Sequence, residues 1–142
     1  MRKFRVELVC TTDDPADTLE YHQAIRNSGF EIKVLPTWRP DKAMAVDDPA
    51  KYNQYISQLE KTSGKSIASF QDLMDVLAQR HDFFASMGCK LSDHGLETFY
   101  AEDYTEEDLR NIFAKVRSGK QATREEILKF KSGMMFLFGV MD

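Results

Sequence analysis

The chain has 142 residues, with 19 Lys and Arg against 23 Asp and Glu and a formal net charge of −4. Because 42% of its residues are apolar, it can bury a hydrophobic core and does not belong to the disordered class. The acidic balance without a Lys/Arg-rich block excludes a nucleic-acid binder, and no segment reaches the roughly 18 uninterrupted apolar residues of a membrane span.

The first 41 residues have the pattern strand, helix, strand. Phe4–Cys10 ends in a nearly continuous apolar run, which is typical of a strand buried on both faces. Asp14 followed by Pro15 predicts the N-cap and the first residue of a helix that stops near Gly29. Phe30–Leu35 is a second short apolar run. Because a crossover helix joins parallel strands, we predict a parallel pair.

Helical segments separate this unit from the next strand candidate, Cys89–Ser92. An Asp-Pro pair at 48–49 predicts one helix start, and Ser69 with Asp72 has the spacing of a capping box for a second helix. We therefore expect residues 42–87 to be a helical insertion and crossover between the second and third strands.

Two further helices complete the chain. Capping-box spacing in residues 105–108 and 123–126 predicts where they begin. Residues 133–141 are almost wholly apolar, which predicts a helix buried on most of its circumference. We expect residues 1–142 to form a single α/β segment.

Polar clusters follow all three strand candidates. They are Thr-Thr-Asp-Asp at 11–14, Trp-Arg-Pro-Asp at 38–41 and Ser-Asp-His at 92–94. Because the carboxyl ends of parallel strands lie on one edge, we expect these clusters to converge on one face, where such folds place their sites. Taken alone, Asp13 and Asp14 are more simply explained by turn and capping chemistry.

We favour a ligand-binding role for Arg39. It lies between a Trp and a Pro that restrain its backbone, so its planar guanidinium can be aimed at a carboxylate or phosphate in bidentate fashion. An ion pair with Asp41 or another local acid is the structural alternative. Asp93 and His94 fit acid–base or sugar-hydroxyl chemistry as well as they fit a turn aspartate and a packed histidine.

Neither the two cysteines nor the two histidines other than His94 predict a metal or disulfide site. Cys10 and Cys89 lie in short apolar runs without a second Cys or His at ligand spacing. His22 and His81 lie within helical patterns and have no second ligand at metal spacing. Because the cysteines indicate no disulfide, we expect a reduced, cytoplasmic setting, and the N-terminal residues carry no targeting signal.

Three motifs carry a resemblance to a known family. They are TTDDP at 11–15, KVLPTWRPDKA at 33–43 and GCKLSDH at 88–94. In this order and with these intervals, they resemble the middle of uronate isomerase (glucuronate isomerase), and the resemblance extends over essentially the whole chain. It implies a (β/α)8 barrel of the TIM type related to the metal-dependent amidohydrolases, of which this chain supplies about three parallel strands with crossover helices. It also implies the interconversion of D-glucuronate with D-fructuronate and of D-galacturonate with D-tagaturonate.

The resemblance also implies roles for three residues. Arg39 matches a family active-site arginine and would hold the substrate carboxylate. Asp93 matches a family active-site aspartate and would orient sugar hydroxyls or assist proton movement between C1 and C2, and His94 beside it is a candidate substrate-binding residue. The family's His-x-His metal pair is absent from the sequence. We therefore expect no metal site or cofactor in this chain, with a divalent metal such as zinc in the full-length parent.

A (β/α)8 barrel takes about 250 residues, so we expect an internal segment of such an enzyme that is inactive by itself. Two alternatives stay open. One is a free-standing small α/β module that binds an anionic ligand, and the other is an interaction domain whose apolar C-terminal helix docks a partner. The expected partner is a uronate sugar, with neither nucleic acid nor membrane. Exposed sheet edges or the C-terminal helix predict a homo-oligomer.

Overall fold

The computed structural model describes residues 2–142, in which two strands are followed by a mainly helical region. The elements in chain order are a 3-10 turn (Arg2–Phe4), β1 (Leu8–Cys10), α1 (Glu20–Asn27), β2 (Lys33–Leu35), a second 3-10 turn (Asp41–Met44), α2 (Pro49–Ser63), α3 (Phe70–Ser86), α4 (Glu106–Arg117) and α5 (Arg124–Met141). The chain therefore has the predicted α/β character.

β1 and β2 form a parallel pair joined through α1, with Val9 opposite Val34. The pairing continues beyond the strand ends, because the Asp13 N–H donates to the Thr37 carbonyl at 3.1 Å and the Arg39 N–H donates to the Asp13 carbonyl at 3.0 Å. The parallel βαβ arrangement predicted for the first 41 residues is confirmed.

The third predicted strand, Cys89–Ser92, is reduced to one parallel bridge between Trp38 and Ser92. The Trp38 N–H donates to the carbonyl of Leu91 at 2.9 Å. The first N–H group of the predicted strand is still bonded to the carbonyl of Phe84 in α3 at 3.0 Å. Only the last residues of this segment are therefore free to pair with the sheet.

The N-terminal strand is shorter and more exposed than the sequence predicts. It begins at Leu8 rather than Phe4, because Arg5 takes a left-handed φ of 50° and turns the chain just before it. Leu8 and Cys10 are exposed, so the prediction of burial on both faces is wrong for the residues that the structure describes. The physical reason is that, among the elements within residues 2–142, β1 makes its main contacts with β2 alone.

The first helix begins at Glu20 rather than at Pro15. The Asp14 side chain accepts a hydrogen bond from the N–H of Ala16 at 2.9 Å and closes a turn instead of capping a helix. Leu19 has a φ of 55° and is fully buried, so the chain first places this side chain in the core and only then becomes helical.

The helix starts farther along the chain agree with the predicted capping chemistry. Asp48 caps α2, and capping boxes form at the starts of α3, α4 and α5. The core lies mainly among these helices. Its largest fully buried aliphatic and aromatic side chains include Tyr52, Ile56, Leu59, Ile67, Leu73, Leu77, Phe84, Phe113, Phe130 and Phe138.

α5 is buried on one face only, which corrects the prediction for its apolar end. Met134 and Phe138 are fully buried, whereas the side chains of Phe136 and Val140 are exposed. The exposure arises because α5 packs against α4 and the second 3-10 turn from one side. None of the helices within residues 2–142 is long and apolar enough to cross a membrane.

Candidate functional site

The candidate site lies at the edge where polar residues follow the paired segments. Asp13 bridges Trp38, and Trp38 in turn bridges Ser92, both in parallel. The three predicted polar clusters therefore converge on one face. Trp38 is almost fully buried and meets the ring of Phe84 edge-on at 5.1 Å. This buried anchor fixes the backbone from which the next side chain, that of Arg39, extends.

The Arg39 guanidinium is anchored through its Nε atom. This atom lies 2.6 Å from Asp93 Oδ1 and 3.5 Å from Asp41 Oδ2. Neither Arg39 Nε nor Asp93 Oδ1 has a hydrogen-bond partner within the described residues. Their 2.6 Å contact is therefore an ion pair whose geometry is not aligned as a hydrogen bond. The terminal nitrogens of Arg39 make no protein hydrogen bond in residues 2–142, and the side chain is 39% exposed. Ion pairing with local acids is thus present, yet the fork remains open to a ligand.

Asp41 connects two of the polar clusters. One carboxylate oxygen lies 2.8 Å from Nδ1 of His94, and the other accepts a hydrogen bond from the Gly95 N–H at 2.7 Å. Because a carboxylate can only accept, Nδ1 is the protonated nitrogen of the ring. The His94 ring also stacks on Phe138 of α5, with centroids 5.8 Å apart and planes within 6°. The orientation of His94 is therefore set from two sides.

Asp93 is held between the first and second clusters. Its Oδ2 accepts a hydrogen bond from the hydroxyl of Thr12 at 3.1 Å, while Oδ1 faces Arg39. Both oxygens therefore have neighbouring protein groups. In this arrangement Asp93 orients Arg39, and its role in proton movement stays a prediction.

A buried network supports the first cluster from below. The hydroxyl of Thr11 donates to Asp13 Oδ2 at 2.6 Å and lies 2.7 Å from His22 Nε2. The same Asp13 oxygen accepts from the Thr37 N–H at 3.2 Å. Since the hydroxyl proton goes to Asp13, the His22 Nε2–H donates to the hydroxyl oxygen. Asp13 is thus a structural residue, in agreement with the simpler interpretation of the sequence.

Arg80 of α3 holds the turn that follows this cluster. Its Nε donates to the carbonyl of Pro15 at 2.8 Å and its Nη2 donates to the carbonyl of Asp17 at 2.6 Å. The guanidinium lies 4.3 Å from the ring centroid of Phe83. Burial lowers the pKa of Arg80, which marks a cation removed from water to serve these carbonyls.

The polar side chains enclose a small cleft. It has a volume of about 230 Å³ and is lined by Thr12, Asp13, Asp14, Arg39, Asp41 and Lys42. A guanidinium fork facing carboxylates and hydroxyls in one cleft suits an anionic ligand that also carries hydroxyl groups. Within residues 2–142 no group of three or more His, Cys, Asp or Glu side chains has an arrangement that could hold a metal ion.

Several residues of the site could not be predicted individually. Thr12 lies inside a polar cluster, so its adjacency to the predicted residues was the available signal. Asp41 was named as a possible ion-pair partner of Arg39, but its contact with His94 was not predicted. Phe138 carries no such signal, because it is far from His94 in the chain and appears in the sequence as one aromatic residue of an apolar helix.

Comparison with known proteins supports one family over the full length. The model of the glucuronate isomerase family matches residues 1–142. The chain is 61% identical to the uronate isomerase of Phocaeicola vulgatus and 60% identical to that of Bacteroides thetaiotaomicron, in each case over 100% of this chain and 30% of the relative.

Solved structures show the same relationship. The fold is similar to that of uronate isomerase from Thermotoga maritima, with a TM-score of 0.91 and 35% identity over 99% of this chain and 31% of that one. It is also similar to glucuronate isomerase from Caulobacter crescentus, with a TM-score of 0.87 and 26% identity over 99% of this chain and 29% of that one. The chain thus spans about a third of the length of the relatives it matches, and it belongs to the glucuronate isomerase family.

Proposed function

We propose that this chain is a segment of a uronate isomerase and that Arg39 holds the carboxylate of the uronate sugar. The observation that carries this proposal is the state of the guanidinium: its Nε is paired with Asp93 and Asp41, its terminal nitrogens have no hydrogen-bond partner within residues 2–142, and Arg39 lines the cleft. Two parallel N–H donors match the two oxygens of a carboxylate.

The reaction proposed for the whole enzyme is an aldose–ketose isomerisation. A proton leaves C2 and a proton is added at C1, while the C2 hydroxyl loses its proton and the C1 oxygen gains one. The carbonyl thereby moves from C1 to C2, so no external oxidant or reductant is needed. D-glucuronate would give D-fructuronate and D-galacturonate would give D-tagaturonate. Asp93 would orient sugar hydroxyls or assist the proton movement, and His94 would contact the substrate from its stacked position.

The rest of the enzyme would supply what this segment lacks. We propose that β1, β2 and the bridged 89–92 segment are part of a TIM-type (β/α)8 barrel of the amidohydrolase kind, in which a divalent metal such as zinc is held by residues outside this chain. The exposed Leu8 on β1 supports a sheet that extends further. For the isolated chain, we propose inactivity and self-association through sheet edges or α5. For the parent, we propose a cytoplasmic enzyme of carbohydrate metabolism.

The two alternatives are less well supported. The chain is 61% identical to a uronate isomerase along all 142 residues. Neither a free-standing anion-binding module nor an interaction domain would explain identity of this extent. Similarity of this extent includes the cleft and the helices alike, so it favours a segment with the same overall role as in the relatives.

A segment exchange tests the proposal. The matching 142 residues of the Phocaeicola vulgatus enzyme are replaced by this chain, and the conversion of D-glucuronate to D-fructuronate is followed. We expect an active chimera. Arg39→Ala should lower kcat/KM by about 100-fold or more, since two hydrogen bonds between charged groups are lost.

The matched control is Arg110→Ala. Arg110 is an exposed arginine on α4 whose partner is Glu106, one helical turn away. The control should keep kcat/KM within about twofold, because exposed pairs of this kind contribute little. A correctly folded but inactive chimera, or equal activity of the Arg39→Ala and Arg110→Ala variants, would contradict the proposal.

A further inference from the structure

The wall of the cleft around Asp14 has features that an ordinary turn does not require. Asp14 Oδ1 accepts from the Ala16 N–H at 2.9 Å, and the Asp14 carbonyl accepts from the Asp17 N–H at 2.8 Å, which together close the turn. Asp14 Oδ2 lies 3.5 Å from Lys42 Nζ, which is longer than a direct hydrogen bond. The second oxygen therefore retains capacity for another donor.

A buried tyrosine points to the same place. Tyr55 is 7% exposed, and its hydroxyl has no hydrogen-bond partner within the described residues. Burial raises the pKa of this hydroxyl, and the neighbouring Asp14 carboxylate raises it further. Tyr55 does not line the cleft, so it lies behind Asp14 and supports this carboxylate instead of contacting a ligand.

Lys42 places a positive charge next to the Asp14 carboxylate. Its Nζ lies 5.9 Å from the ring centroid of Tyr55 as well as near Asp14, and its side chain is 64% exposed. A cation at this position offsets the repulsion between the Asp14 carboxylate and an incoming anion. Burial raises the pKa of Asp14, so its carboxyl is not held in charged form as strongly as a tight ion pair would hold it.

We propose that Asp14, supported by Tyr55 and Lys42, is a specificity-determining residue that binds a hydroxyl group of the sugar whose carboxylate Arg39 holds. Both residues line the same cleft of about 230 Å³. A hydroxyl can donate to the open Asp14 oxygen and accept from a neighbouring donor, whereas a methylene group would leave both unpaired. This inference rests on the proposed function, because it takes the ligand to be a hydroxylated carboxylate.

The test compares two ligands on the chimera described above. L-gulonate is D-glucuronate with its aldehyde reduced to an alcohol, so it keeps the carboxylate and hydroxyl groups but cannot isomerise. Hexanoate has the same number of carbons and a carboxylate but no hydroxyl group. Dissociation constants are measured by calorimetry. We expect the unmodified chimera to bind L-gulonate about 10-fold or more tightly than hexanoate, since a site built for a hydroxyl rejects the analogue that lacks it.

Asp14→Asn should remove most of this preference, because a neutral amide oxygen accepts from a hydroxyl more weakly than a carboxylate does. Hexanoate should bind at least as tightly as before, because the fork of Arg39 is unchanged and the carboxylate that repels an anion is gone. Asp82→Asn, on the exposed face of α3, is the matched control and should retain the preference. If Arg39→Ala weakens both ligands but Asp14→Asn leaves their ratio unchanged, the role of Asp14 is refuted and the proposed function stands. If neither ligand binds in an Arg39-dependent way, both proposals fail.

Discussion

Two glycines in α5 provide a matched test of how this helix packs. A Cβ atom added at Gly133 would lie 2.6 and 2.8 Å from the two terminal methyl carbons of Leu109 and 3.1 Å from a ring carbon of Tyr104. A Cβ at Gly139 would have no neighbouring heavy atom of residues 2–142 within 4 Å. The same substitution thus meets a packed interface at one position and open space at the other.

The magnitudes follow from this geometry. Carbon atoms prefer separations of about 3.5–4.0 Å, so Gly133→Ala requires Leu109 and α5 to move apart by about 1 Å. Leu109 is 1% exposed and cannot turn into solvent. Overpacking of this kind costs about 1–3 kcal/mol, against a gain of up to about 1 kcal/mol from the better helix former. We expect a net loss of about 1–2 kcal/mol. Gly139→Ala, near the helix end, should gain about 0.5 kcal/mol.

Urea unfolding followed by circular dichroism at 222 nm measures both variants. The midpoint should fall for Gly133→Ala and rise slightly for Gly139→Ala, with the slope of free energy against urea unchanged. The close packing of α4 and α5 would be refuted if Gly133→Ala were as stable as Gly139→Ala. Because α5 also carries Phe138, which stacks on His94, the first variant should additionally shift the NMR signals of the His94 ring.

Three further predictions concern the surroundings of the site. Arg80→Met keeps a similar side-chain volume but leaves the carbonyls of Pro15 and Asp17 without their donors, so the free energy of unfolding from urea titration should fall by about 2–4 kcal/mol. Burial raises the pKa of Asp14 above its usual 3.8, so its contribution to stability is present below that pH and is lost as the pH rises through the folded-state pKa. Asp14→Asn should remove this decline in a series of urea titrations from pH 3 to pH 7. Gly95→Ala would place a Cβ 3.3 Å from Arg39 Nη2, so it should weaken binding of hexanoate to the chimera about 3-fold to 10-fold with little change in the urea midpoint.

The helix starts could be predicted where the signal lies within a few neighbouring residues. Ser69 with Asp72 determines a capping box by local chemistry, and that box forms in the structure. Asp14 with Pro15 carries an equally good local signal, but the helix begins at Glu20 because Leu19 has to reach the core first. Local chemistry predicts a cap correctly only where tertiary packing does not require another path.

The convergence of the polar clusters could also be predicted, because strand direction alone brings their ends together. The partners within the site could not. That Asp93, rather than Asp41, makes the closest contact with Arg39 depends on where Ser92 joins the sheet edge, and only one bridge sets that position. The stacking of His94 on Phe138 depends on the packing of α5, which no local pattern encodes.

The site is thus supported by two helices as well as by the sheet edge. Arg80 of α3 holds the turn that carries Asp14, and Phe138 of α5 supports the ring of His94. Arg39 itself extends from a backbone fixed by the buried Trp38, which packs on α3 through Phe84. Core substitutions in α3 should therefore alter ligand binding at both Arg39 and Asp14. Core substitutions in α5 should instead alter ligand binding by displacing the ring of His94. A substitution in α3 should therefore change ligand affinity even where the His94 ring keeps its orientation. A substitution in α5 should change the orientation of the His94 ring before it changes affinity.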